Sequence, residues 1–169
     1  MLENQNILLR VVEPDDLDFL YSLENNPENW LVSNTSTPFS KATLKQYVES
    51  VHDIETQKQL RLIITDGGNR VGALDLFEFE PIHQRVGIGL VVLDEFRRNG
   101  IARTAIELAL GHCFNTLNVS QVWCNILQNN TASLALFEGI GFVKMAEKKH
   151  WVKSNGSWLD EYMYQLIKE

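Results

Sequence analysis

The chain has 169 residues, a formal net charge of −7 and a hydrophobic content of 44%. This length supports a buried core, and we expect a single domain over residues 1–169. The acidic balance, with no extended basic patch, argues against a nucleic-acid partner, and no apolar run is long enough to cross a membrane. No secretory signal is visible, and Cys113 and Cys124 lie in apolar segments. We therefore expect a cytoplasmic protein with two free thiols.

The first part of the chain predicts one strand followed by two helices. The strand covers residues 7–12, and Asp15 or Asp16 caps a helix that ends at residues 25–27. Residues 28–40 predict irregular structure, and Ser40 caps the second helix. The apolar positions of the second helix are Leu44, Tyr47, Val48 and Val51. Two helices between the first and second strands are typical of elements that cover a site.

The rest of the chain predicts further strands and two more helices. In chain order, the strands are 60–65, 70–79, 86–93, 121–127, 142–152 and 158–167, and the helices are 100–117 and 129–141. A full helix between the fourth and fifth strands favours parallel pairing of those two strands. The order predicts an α+β fold with a mostly antiparallel sheet of six to seven strands, helices on both faces and one parallel joint.

Several ligand-binding motifs can be excluded. Gly87 and Gly89 lie inside a strand with no third glycine opening a helix, so they do not form a dinucleotide-binding fingerprint. No phosphate-binding loop of the Gly-x-x-x-x-Gly-Lys-Ser/Thr type occurs. The histidines are scattered without metal-ligand spacing, so we expect no metal.

An anion site is predicted where the fourth strand leads into the helix that opens near Gly100. A glycine there lets backbone N–H groups approach a ligand, and the helix N-terminus attracts negative charge. Arg97, Arg98 and Arg103 bracket this point, although cations at a helix N-terminus are unfavourable without a bound anion. The stretch therefore indicates a phosphate-bearing ligand.

Two motifs resemble those of the GNAT superfamily of acyl-CoA-dependent N-acetyltransferases. Arg97-x-x-Gly100-x-Ala102 matches its Gln/Arg-x-x-Gly-x-Gly/Ala signature, between a strand and a helix as the family requires. The segment from Asn130 to Phe142 is similar to the family's second conserved region. The chain's end, residues 155–161, resembles the branch of ribosomal-protein N-terminal and polyamine acetyltransferases.

The resemblance implies an acetyl-CoA site between the fourth and fifth strands, which splay apart in this family. The pantetheine arm docks there like an extra strand. The implied contacts along the arm and the pyrophosphate are Leu90, Val91, Val92, Arg97, Arg98, Asn99, Gly100, Ile101, Ala102, Arg103, Asn130, Ser133 and Phe137.

The resemblance also implies direct attack of a neutral amine on the thioester. A bulge amide near Leu90 or Val91 is expected to bind the oxyanion. Phe137 stands where many relatives have a tyrosine acid, so the thiolate leaves unprotonated or Ser133 or a water supplies the proton. The usual base position falls near Gly87, so the candidate bases move to the third strand and its end, at Asp75, Glu78 and Glu80. Of these we expect Glu78, acting directly or through water.

Acceptor recognition is expected from the early helices and the last hairpin. The candidate side chains are Glu24, Trp30, Asp75, Glu78 and Trp151. A charge of −7 suits a polyamine, whereas the lack of an obvious base suits the α-amine of a peptide, and both acceptors stay open. A different class of function, an acyl-CoA sensor without turnover, is the alternative. A homodimer is common in the family.

Overall fold

The protein is described by a computed structural model that covers residues 2–4, 6–33 and 35–168. Its strands are β1 (Leu2–Asn4), β2 (Ile7–Val11), β3 (Leu60–Asp66), β4 (Asn69–Glu80), β5 (Arg85–Val92), β6 (Gln121–Leu127), β7 (Val143–Ser154) and β8 (Ser157–Ile167). Its α-helices are α1 (Leu17–Glu24), α2 (Pro27–Ser33), α3 (Lys41–Val48), α4 (Ile54–Gln57), α5 (Ile101–Asn115) and α6 (Thr131–Ile140). Short 3-10 turns precede α1 and follow β5.

The strands form one sheet in the order β1-β2-β3-β4-β5-β6-β8-β7. Neighbouring strands are antiparallel except β5 and β6, which pair in parallel because α5 crosses between them. The predicted α+β class and parallel joint are confirmed. Across the residues that the structure describes, the sheet has eight strands rather than six or seven, since Leu2–Asn4 adds a short edge strand that pairs with β2.

Helices cover both faces of the sheet, as predicted. Side chains alternate along β3, so Leu62 and Ile64 face one core and Ile63 the other. The larger core includes α5 residues and Phe137 of α6, and the smaller one packs α1 and α3 against β3 and β4. The smaller core therefore positions the two early helices over the sheet.

The irregular structure predicted for residues 28–40 is wrong for its first part. Residues Pro27–Ser33 form α2. Proline ends a helix that it interrupts, but it is favourable at the first position of a new helix, where no N–H partner is needed. Ser40 does cap α3 by accepting a hydrogen bond from the Thr43 amide, whereas Val51 lies outside that helix and is 72% exposed.

Asp16 ties the start of α1 to two strands of the sheet. Its buried carboxylate accepts two hydrogen bonds of 2.7 Å from Arg10 on β2 and one of 2.5 Å from Arg70 on β4. It also accepts from the Glu13 amide at 2.8 Å. Burial alone would raise the pKa of Asp16, but the hydrogen bonds from Arg10 and Arg70 outweigh it and lower this pKa to about 2.

This carboxylate predicts a pH-dependent stability. A pKa lowered from 3.8 to about 2 corresponds to about 2 kcal/mol of folding free energy, present above pH 3.8 and lost as the pH falls through 2. Asp16→Asn should remove that stability at neutral pH and flatten the acid limb in urea unfolding between pH 2 and 7. Asp18→Asn, which breaks an exposed ion pair with Lys41, is the control. Parallel acid limbs for wild type and Asp16→Asn would contradict the prediction.

Candidate active site

β5 and β6 diverge soon after they begin. Within the described part of the chain, their parallel pairing runs only from Arg85 to Gly87, opposite Gln121 to Trp123. Further along, β5 keeps its antiparallel pairing with β4 as far as Val92, and β6 keeps its pairing with β8. The splay expected from the family resemblance is therefore present, and it leaves one edge of β5 free from Leu90 to Val92.

Leu90 directs its amide toward this gap. The amide of Leu93, the residue after β5, donates to the carbonyl of Val71 on β4 at 2.9 Å. Because backbone groups alternate sides along a strand, the Val91 amide also points at β4, and the Leu90 and Val92 amides point away from it. The Val92 carbonyl points the same way, since it accepts a hydrogen bond from Arg97 on the following loop.

The predicted bulge near Leu90 or Val91 is wrong, because the irregularity between β4 and β5 lies elsewhere. The β4–β5 register is continuous from Gly72 opposite Val92 to Phe77 opposite Gly87, and it shifts only between Phe77 and Glu80. The alternation of a regular strand already frees the Leu90 amide. Gly87 serves close packing instead, because a Cβ there would lie 2.3 Å from the Phe77 ring.

The predicted anion cradle comprises the loop after β5 and the first turn of α5. Arg98 and Gly100 adopt positive φ angles of 65° and 78°. Gly100 is the N-cap of α5 and has no side-chain cap, and the Thr104 amide donates to its carbonyl at 3.1 Å. The amides of residues 101–103 belong to the first turn, which has no preceding helical carbonyls to accept from them. These donors suit a diphosphate.

The three arginines at the cradle differ in the partners of their side chains. The Arg97 guanidinium donates to the Val92 carbonyl at 2.9 Å and pairs with Asp94 at 2.5 Å. Arg103 pairs with Glu107 and donates to the Gly139 carbonyl at 2.8 Å, which joins α5 to the end of α6. Among the described residues, Arg98 has no ion-pair or hydrogen-bond partner for its side chain. Arg98 is thus exposed and unengaged within the described chain, whereas the Arg97 and Arg103 guanidinium groups already have partners.

The Arg97 contacts predict that glutamine replaces this residue better than lysine does. A glutamine amide can still donate to the Val92 carbonyl and hold the loop, whereas lysine keeps the charge but loses the planar donor. Arg97→Lys should raise the KM for acetyl-CoA about fivefold, or ~1 kcal/mol, and Arg97→Gln by less. Steady-state kinetics on both variants provides the check. The reverse order would show that Arg97 acts through its charge on the phosphates.

Helix α6 follows β6, the strand on the far side of the gap. The Asn130 side chain caps α6 by accepting from the Ser133 amide at 3.2 Å. Phe137 is buried and packs edge-on against Phe142 at 5.0 Å between ring centroids. Asn130 and Ser133 therefore lie at the helix mouth, while Phe137 belongs to the core behind it.

A cavity of about 450 Å³ lies on the face of the sheet that carries α1 and α3. Its walls come from α1, α3, the segment leading to β3, and the strands β3 and β4. The lining residues are Glu24, Phe39, Thr43, Leu44, Tyr47, Ser50, Val51, His52, Gln57, Gln59, Leu60, Arg61, Asp75, Leu76 and Phe77. A recess of about 40 Å³ adjoins Val91 of β5 and shares Glu24, Arg61 and Asp75 with the cavity.

Glu24, Arg61 and Asp75 form an ion cluster between the cavity and the recess. Arg61 Nε and Nη2 donate to the two Asp75 oxygens at 2.7 and 2.8 Å, and Nη1 donates to Glu24. The Arg61 side chain is 22% exposed, Glu24 13% and Asp75 36%. Two carboxylates and one guanidinium leave a formal charge of −1 on this wall.

The other predicted acceptor residues lie elsewhere. Trp30 donates its indole N–H to the Glu24 carbonyl at 2.8 Å, so it supports α1 without lining the cavity. Glu78 is exposed at the β4 irregularity with a φ of 48°, and it also lies outside the cavity lining. Trp151 is 58% exposed on β7, near Lys148. The structure brings together Glu24 and Asp75 from the predicted set.

Sequence reasoning missed Arg61 and gave Tyr47 only a core role. Burial raises the pKa of the Tyr47 phenol, which therefore stays protonated in the cavity wall. Both cysteines are free and buried, and burial raises the pKa of each thiol to about 12, so neither is a reactive nucleophile. Over the described residues, no cluster of three or more His, Cys, Asp or Glu could hold a metal ion.

The acetyltransferase (GNAT) domain model matches residues 6–143. The chain belongs to the GNAT family. It is accordingly an acetyl-CoA-dependent N-acetyltransferase, as the sequence motifs predicted.

Similar GNAT proteins cover nearly the whole chain. Spermidine N(1)-acetyltransferase of Vibrio cholerae is 29% identical over 168 residues, which are 96% of this chain and 94% of the relative. The putative ribosomal N-acetyltransferase YdaF of Bacillus subtilis is 24% identical, over 98% of this chain and 93% of the relative.

A solved structure of the Vibrio cholerae spermidine N-acetyltransferase in complex with CoA and spermine superposes with a TM-score of 0.88. The two chains are 25% identical, and the match covers 97% of this chain and 96% of that one. Among the helices that the structure describes, none is long and apolar enough to span a membrane.

Proposed function

We propose that the chain, acting as a single domain, transfers the acetyl group of acetyl-CoA to a primary amine of a small polyamine. The placement of the Glu24 and Asp75 carboxylates carries this proposal. They line a cavity of small-molecule size and also the recess beside Val91, next to the free edge of β5. A polyamine in the cavity would meet negative charge along its path to the acyl group. The similarity to a spermidine acetyltransferase supports the same acceptor class.

Acetyl-CoA is proposed to bind along the splayed edge. The pantetheine arm lies beside Leu90, Val91 and Val92, like an additional strand. The diphosphate rests on the cradle amides, with Arg98 as the partner cation. Asn130 and Ser133, at the start of α6, are proposed to form the opposite wall, and the buried Phe137 supports it from the core.

The proposed reaction is direct transfer. The neutral amine attacks the thioester carbonyl, the Leu90 amide binds the oxyanion, and collapse of the intermediate breaks the C–S bond. The nitrogen loses its remaining extra proton, and the sulfur leaves as a thiolate that becomes the CoA thiol. Phe137 cannot donate that proton, so Ser133 or a water supplies it. Glu78 lies outside the cavity lining, so it is proposed to act only through water.

An amine panel tests the acceptor. Purified protein, acetyl-CoA and equal concentrations of putrescine, spermidine, spermine, peptides with free N-termini and amino sugars are compared by thiol release and mass spectrometry. We expect the highest kcat/KM with a polyamine. A peptide as the best acceptor would contradict the polyamine proposal while leaving the transferase reaction intact. CoA binding without turnover on any amine would favour a sensor domain instead.

Self-association and cellular location belong to the same proposal. A solved structure of the Vibrio cholerae relative is described as dodecameric. We propose that this chain also assembles, at least as a homodimer. Light scattering after gel filtration tests this, and a monomer at all concentrations would contradict it.

The two free thiols, Cys113 and Cys124, support a reducing cytoplasmic location.

A further inference from the structure

Arg61 sits in an unexpected place for a site that accepts cations. It lines both the acceptor cavity and the recess beside Val91, between the two carboxylates that would attract an ammonium group. Its guanidinium holds Asp75 through two hydrogen bonds and Glu24 through a third. A purely attractive site for a polyamine would have no cation at this position.

The need to deprotonate the acceptor amine offers a reason for a cation at Arg61. An alkylammonium with a pKa near ~10.4 must lose its proton before it can attack, which costs about 4.6 kcal/mol at pH 7. The carboxylates among the described lining residues are Glu24 and Asp75, and neither is an unengaged base, because Arg61 binds both. Two uncompensated carboxylates would bind the ammonium firmly and hold it protonated.

We propose that Arg61 sets the protonation state of the bound acceptor, offsetting one carboxylate so that the amine is attracted to the site and yet releases its proton there. Arg61 is thus a positioning residue that acts through charge and does not touch the thioester. This inference rests on the proposed function, since it requires the cavity to hold the acceptor amine.

The magnitude is sufficient to matter. A like charge within about 4–6 Å favours the neutral form of an amine, and such neighbours move a pKa by about 1–3 units. Changing the wall from −1 to −2 would therefore reduce the neutral fraction of a bound alkylamine at least about tenfold at pH 7. The same change would strengthen binding of the protonated form, so KM and the chemical rate should fall together.

Arginine suits this role because it does not itself titrate. Burial lowers the pKa of Arg61, but the hydrogen bonds and charge of Asp75, with the charge of Glu24, raise it above its ordinary value. The guanidinium therefore remains cationic while the substrate deprotonates. The proton leaves the ammonium nitrogen for solvent water before the N–C bond forms and the C–S bond breaks.

Two variants move the charge in opposite directions. Arg61→Met removes the cation, and the pH at which the single-turnover rate with a polyamine reaches half its maximum should rise by about one unit or more. Asp75→Asn removes an anion, so the same midpoint should fall while the KM rises. Arg61→Lys keeps the charge and should restore the wild-type midpoint. A purely structural role would slow all three variants without moving the midpoints in opposite directions.

A second acceptor separates protonation from geometry. With 2,2,2-trifluoroethylamine, a much weaker base that is mostly neutral at pH 7, Arg61→Met should lower the single-turnover rate far less than it does with a polyamine. An equal loss with both amines, or an unchanged polyamine midpoint in Arg61→Met, would overturn the inference. If Arg61→Met does not fold, an unmoved or raised midpoint in Asp75→Asn overturns it alone. Failure of the wild type on every polyamine contradicts the proposed acceptor instead.

Discussion

Leu90→Pro is expected to lower kcat by about 10²–10³ while leaving the KM for acetyl-CoA within a few-fold of wild type. Proline removes the N–H that we propose as the oxyanion donor, and loss of such a donor typically has this effect. The substitution is tolerable because the Leu90 amide points away from β4, so no bond of the β4–β5 ladder is lost. Thermal melting and acetyl-CoA titration would show that the variant is folded and binds its cosubstrate.

Two controls separate the amide from the side chain. Leu90→Ala keeps the N–H and should retain most of the activity. Val91→Pro removes an amide that points at β4, so it should destabilise the sheet rather than act selectively on kcat. Equal kcat values for Leu90→Pro and Leu90→Ala would show that the Leu90 amide does not bind the oxyanion.

The cosubstrate side of the site was predictable because its signals are local. Gly100 with a positive φ, the helix that starts at Ile101 and the cap at Asn130 all depend on residues close in sequence. Backbone alternation along β5 then follows from the strand itself. The partners of the arginines were unpredictable, since Arg103 contacts Gly139 of another helix, and so was the continuous β4–β5 register at Leu90, where we expected a bulge.

The acceptor side was less predictable because it depends on long-range register. The turn at residues 67–68 pairs Thr65 with Arg70. If this register continued unchanged along β3 and β4, Arg61 would lie opposite Leu74. An irregularity between Ile64 and Thr65 shifts the pairing by one residue and sets Arg61 opposite Asp75 instead. No turn motif in the sequence predicts that shift, so the pairing of Arg61 with Asp75 could be seen only in the structure. The same applies to Glu78, which a second irregularity removes from the alternating pattern.

Gly100→Ala is expected to raise the KM for acetyl-CoA about 10–100-fold, equivalent to about 1.4–2.8 kcal/mol. A Cβ on Gly100 would meet no heavy atom within 4 Å apart from its chain neighbours, so it would project into the open space that a diphosphate needs for close approach to the cradle amides. The positive φ of 78° adds strain for any residue with a Cβ, about 1–2 kcal/mol in folding stability.

Gly156→Ala is the matched control for that strain. Gly156 has a φ of 82° and equally open surroundings, but it lies in the turn between β7 and β8. Both variants should lose similar stability in urea, and only Gly100→Ala should lose affinity for acetyl-CoA. Acetyl-pantetheine, which lacks the diphosphate, should be used equally well by Gly100→Ala and wild type. A KM for acetyl-pantetheine that rises as much as that for acetyl-CoA would place the effect of Gly100 on the arm or the acyl group and not on the phosphates.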